Sequence, residues 1–208
     1  MKTIFEAIQK LGGTKKNPVN KESVQQFDFE ASIKKLEDMF GSKLPVAFVE
    51  LQKEYGGFSF NNSVVVKAIE NHPVLDDDQL VSLDFFYGLE FEGENSIYKY
   101  IQNYKGRIPQ TVLPIGQGEL NDLICMDLSE KNYGEIFFWI SDVAIGKEKD
   151  TFLIASDLED LFLRAFVDSE NNDQSDAPEV NYDDDKFKKM NPKLLEMLKK
   201  NQQNQGGK

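Results

Sequence analysis

Three groups of residues have the types that chemistry needs. His72, the single histidine of the 208-residue chain, precedes Asp76, Asp77 and Asp78 in ENHPVLDDD. Imidazole and carboxylates together form a metal-ligand set. Cys125, the single cysteine, becomes a nucleophile if a base draws its proton. PIGQGEL places Gly116 and Gly118 behind an apolar run, in the manner of a loop that cradles phosphate.

Each group also has a plainer reading, and the plainer one is preferred. No second imidazole exists to complete a metal site, and the run of aspartates suits an exposed, solvated loop. Cys125 sits inside an apolar run and His72 belongs to another segment, so a buried strand cysteine is expected. PIGQGEL lacks the further glycine and following helix of a dinucleotide loop, and the Lys-Ser or Lys-Thr of a phosphate loop. Carboxylates are plentiful, yet no spacing singles out a catalytic pair. No catalytic residue, cofactor site or metal site is assigned, and the chain is not expected to be an enzyme.

The elements around these residues follow from hydrophobic period. Leu123–Met126 and Ile136–Trp139 flank a polar segment with Asn132 and Gly134, which reads as two strands and a turn. With TVLPIGQ before them and TFLIA (151–155) after, they make four closely spaced strands, for which antiparallel pairing is the simplest topology. Trp139 ends the run FFW, where neighbours point to opposite faces, and a second core is preferred over an aromatic binding surface. Upstream, SVVVKAI (63–69) and LVSLDFFYGL (80–89) read as further strands. Helices are expected at Ile4 to Leu11, at Ile33 to Phe40, from Pro45 to a stop at Gly56 and Gly57, and at Ile97 to Tyr104. A last helix follows a capping box of Ser156 and Glu159. GTKKNPVNKES reads as a polar loop.

Composition narrows the class. Hydrophobic residues are 40% and charged residues 29%, with 16 Phe, which suits a globular protein with one sizeable core. MKTIFEAIQKLGG resembles neither a signal peptide nor a spanning helix, so a cytoplasmic location is expected. A lone cysteine agrees with a reducing compartment. The net charge of -12 repels phosphate backbones and anionic lipid alike, so neither nucleic acid nor a membrane is an expected partner. A basic protein is. Residues 168–185 hold eight carboxylates and no cation, as an acidic flexible linker does, and residues 186–208 hold seven Lys against Glu196 in a short basic amphipathic segment with a polar tail. The remaining -10 belongs to the expected globular domain, residues 1–167.

The order of segments resembles the SUKH superfamily of bacterial toxin-immunity proteins and fungal cell-wall-synthesis regulators. LPVAFVELQKEYGGF, LDFFYGLEFEGENSIYKYI, GRIPQTVLPIGQGELNDLICMDLSEKNYGEIFFW and LIASDLEDLF fall in the family's order between about Ser32 and Val167. Tyr55-Gly56 stands where members often have Asn-Gly, and Leu120-Asn121 where they often have two glycines. The resemblance implies an α+β fold, a mostly antiparallel sheet of about five or six strands flanked by helices, with no catalytic residues. It also implies an immunity protein that neutralises a cognate toxin, often a nuclease; the alternative is an intracellular adaptor of the fungal, regulatory type. The acidity fits the first role independently, since a nuclease offers a basic groove. Candidate partner-binding residues are Asp76, Asp77, Asp78, Glu90, Glu92, Glu94, Glu119 and Asp122.

Overall fold

In the computed structural model of the protein, the residues described are 2–16, 27–72, 75, 77–89, 95–118, 122–140 and 150–169. Residues 170–208, which hold the basic segment and nearly all of the expected acidic linker, lie outside them.

The fold is α+β, with five helices, a seven-strand antiparallel sheet and a three-strand sheet among the described residues. The helices are α1 (Lys2–Lys10), α2 (Phe29–Phe40), α3 (Val46–Tyr55), α4 (Ile97–Asn103) and α5 (Leu158–Arg164). The strands are β1 (Thr14–Lys16), β2 (Phe58–Phe60), β3 (Val64–Lys67), β4 (Leu80–Ser82), β5 (Phe85–Phe86), β6 (Val112–Gln117), β7 (Leu123–Asp127), β8 (Ile136–Trp139), β9 (Thr151–Ala155) and β10 (Phe166–Val167). The large sheet runs β1-β2-β5-β6-β7-β8-β9 and the small one β10-β3-β4. The expected four-strand meander is β6 to β9.

Register sorts the aromatic residues onto two faces. Phe58 pairs with Phe86, Phe86 with Gly116, Gly116 with Ile124, Ile124 with Phe138 and Phe138 with Phe152, so this rung shares one face. Phe58 stacks on Phe86 with centroids 4.9 Å apart, and Phe162 of α5 lies 5.3 Å from Phe86. The neighbouring positions turn to the other face, which α4 covers: Tyr100 lies 3.8 Å from Tyr87, and Tyr104 lies 5.3 Å from Trp139. The Tyr98 hydroxyl donates to the Ser32 carbonyl at 2.8 Å and ties α4 to α2. β7 is buried along its whole length, which is why it reads as an unbroken apolar run.

Three local expectations are corrected. The run 80–89 is two strands in different sheets, because the Leu83 N–H donates to the Val64 carbonyl at 2.8 Å while the Asp84 N–H donates to Gln117 at 3.1 Å. The polar segment after Gly13 begins with an edge strand, β1, which pairs Thr14 with Phe60 and Lys16 with Phe58. An edge position needs backbone bonds and tolerates lysine. The cap of α5 is one residue later than expected. Asp157 accepts from the Asp160 N–H at 2.8 Å, and Asp160 accepts from the Ser156 N–H at 3.0 Å.

Candidate functional site

Antiparallel register brings one end of every strand from β5 to β9 together. Phe85, Gln117, Leu123, Trp139 and Thr151 form a single row across the sheet. One residue beyond that row the chain places Asp84, Asp122 and Asp150. Backbone bonds hold all three there. Asp84 donates its N–H to Gln117 at 3.1 Å, the Asp122 carbonyl accepts from Gly118 at 2.9 Å, and the Asp150 carbonyl accepts from Ile140 at 2.8 Å. They sit on β5, β7 and β9, two strands apart each time, so their backbones recur at about 10 Å, given strand spacings of about 4.8 Å. That separation is too wide for one shared cation. It suits separate Lys or Arg side chains on a partner surface.

The loop from β3 to β4 adds to this end. The Ile69 and Glu70 N–H groups both donate to the Leu153 carbonyl at 3.0 Å, and the Leu153 N–H donates to the Glu70 carboxylate at 2.9 Å. Gln79 closes the loop: its side-chain carbonyl accepts from the His72 N–H at 2.6 Å and its amide donates to the His72 and Leu75 carbonyls. The loop so held presents Asp77 and Asp78 to solvent. His72 is a correction to the exposed-loop expectation. Its ring is 4% exposed and stacks on Phe152 at 4.7 Å, because the apolar end of β9 needs cover.

An aromatic corner adjoins the carboxylates. The Trp139 indole N–H donates to an Asp150 carboxylate oxygen at 3.0 Å. The exposed Arg107 guanidinium lies 5.1 Å from the Trp139 ring and 5.2 Å from Tyr104. The Tyr87 and Tyr100 hydroxyls both approach the Gln117 side-chain oxygen, at 3.4 and 3.5 Å. Burial, then the neighbouring Tyr100, raises the Tyr87 phenol above its ordinary value. Trp139 itself is buried, as the core reading expected.

Of the eight candidate residues, Asp122 lies in the carboxylate row, and Asp77 and Asp78 are exposed on the β3–β4 loop. Asp76, Glu90, Glu92, Glu94 and Glu119 lie outside the described residues. Asp84 and Asp150 were not singled out by sequence. The signal available was their position immediately before an apolar strand, which becomes meaningful only once the strands are put in register. Among the described residues no three His, Cys, Asp or Glu side chains are grouped so as to hold a metal ion. Cys125 is fully buried, and burial pushes its thiol up, away from the reactive thiolate. Gly116 and Gly118 serve packing. A Cβ on Gly116 would stand 2.6 Å from the Phe85 carbonyl oxygen, and one on Gly118 2.7 Å from that of Ser82. Among the described residues no helix is long and apolar enough to cross a membrane.

A family model described as the SMI1 / KNR4 family (SUKH-1) matches residues 30–164. The chain belongs to the SUKH-1 family. The match runs from α2 to the end of α5, so the SUKH-1 region includes the whole meander and the carboxylate row. The chain is also similar to the SPbeta prophage-derived uncharacterized protein YokK of Bacillus subtilis (strain 168). It is 34% identical over 148 residues, covering 65% of this chain and 73% of that protein.

Proposed function

We propose that this SUKH-1 protein is a non-catalytic immunity protein that binds and neutralises a cognate toxin, a basic and nuclease-type one, through the acidic end of its large sheet. It acts in the cytoplasm. The observation that carries this reading is the row of Asp84, Asp122 and Asp150 at one end of the large sheet. Repeated carboxylates offer separate counter-charges to the Lys and Arg side chains of a surface that binds phosphates. Family membership and a prophage-derived relative agree with that role. The net charge of the chain, -12, steers a cationic partner before contact is made. Arg107 and Tyr104, which lie over the buried Trp139, supply an Arg and an aromatic side chain of the kind that dominates binding energy at the centre of interfaces. The sealed thiol of Cys125 is in keeping with neutralisation by binding rather than by chemistry.

The experiment is co-expression of the tagged, full-length protein with each product of its neighbouring genes, scored by growth rescue and co-purification. A toxic, basic neighbour that is carried along and neutralised supports the reading. With that partner in hand, association is timed by stopped flow through the fluorescence of Trp139, the single tryptophan. Raising salt slows association by about tenfold or more, and so does the triple variant Asp84→Asn, Asp122→Asn, Asp150→Asn. An association rate indifferent to both salt and the triple substitution removes the acidic end from the interface.

A further inference from the structure

The surface made by α1 and α5 differs in charge and polarity from the acidic end. α1 carries Glu6 and Lys10, and α5 carries Glu159, Asp160 and Arg164, so both signs of charge occur on this face. Between α1 and α5 lies a cleft of about 120 Å³ floored by Ala7, Leu11, Phe162 and Ala165, with Glu6 and Lys10 also along it. Leu163 lines the same cleft and is 55% exposed, and Phe166 on the adjacent β10 is 45% exposed. Two large apolar side chains beside an apolar hole form a patch of the kind that marks a contact surface.

We infer that this face joins two copies of the chain in a two-fold dimer. A two-fold contact uses one patch on both partners, so projection and hole must lie on the same surface. They do here: Leu163 borders the cleft it would fill in the other copy. Charge favours the same occupant. Glu6 and Lys10 are exposed one turn apart, and a two-fold axis across α1 sets Glu6 of each copy against Lys10 of the other. A strongly acidic chain repels its own copy over most of its surface, and this face offers both signs. One helix pair and a short strand make a contact at the low end of interface sizes, so the dimer is weak and concentration-dependent.

Sedimentation equilibrium on the full-length protein at a series of concentrations tests this without any toxin. The fitted mass rises from one chain towards two. Leu163→Glu raises the dimer dissociation constant by about tenfold or more, and circular dichroism shows it still folded, since Leu163 is more than half exposed. Glu6→Lys and Lys10→Glu each weaken the dimer, and the double variant Glu6→Lys, Lys10→Glu recovers it by restoring both cross-pairs. A monomer at every concentration overturns the inference. So does a dimer that ignores Leu163→Glu, or a double variant no better than its parents.

Discussion

His72 lies nearly flat on Phe152, with ring centroids 4.7 Å apart and planes inclined by 24°. The contact closes the free side of β9, because the residues leading to His72 also take the Leu153 carbonyl and N–H. His72→Ala removes a ring that is 4% exposed and uncovers an aromatic side chain. A loss of about 2 kcal/mol in urea unfolding is expected, the sum of a buried ring contact and a small cavity. Hydrogen exchange at Ile69 and Glu70 should accelerate along with it. Unchanged exchange there would show that the loop is held by its backbone alone.

Gly116→Ala and Gly118→Ala both place a methyl against a backbone carbonyl, at 2.6 Å from Phe85 and 2.7 Å from Ser82. Neither oxygen can swing aside as a flexible side-chain end does, since each belongs to a packed strand. Each variant should lose about 1–3 kcal/mol. Thermal unfolding measures the loss. A neutral result at both positions would mean that this end of β6 moves away from β4 and β5 at little cost.

The cap of α5 is Asp157, with Asp160 bonding back to Ser156. Asp157→Ala should cost about 1 kcal/mol and Ser156→Ala much less. Equal losses in chemical denaturation would restore Ser156 as the cap.

Alkaline pH should destabilise the fold in steps. Burial raises the Cys125 thiol above its ordinary 9.0, raises the Tyr87 phenol, and pushes Tyr98 up to about 12. In the unfolded chain these groups lose their protons near their ordinary values, while the folded chain retains them. The folded state therefore binds more protons above pH 9, and stability falls as pH rises. Cys125→Ala removes the first component, so the decline between pH 9 and 10 becomes shallower. An unchanged slope would assign the effect to the tyrosines alone.

Sequence by itself determined most of the elements, because their causes are local. Apolar residues recur at helical spacing in α1, α2 and α3, and β7 and β8 are short apolar runs bounded by turn residues. The family, too, was legible in the order of those segments. Tertiary structure alone decided where the long run from Leu80 divides, since consecutive N–H groups at Leu83 and Asp84 are claimed by partners in different sheets. It decided that His72 is buried, since Phe152 lies far away in the chain and close in space. It also decided the carboxylate row. Asp84, Asp122 and Asp150 each precede an apolar run but lie far apart along the chain, and become neighbours only because antiparallel register carries three separate strand ends to one side of the sheet.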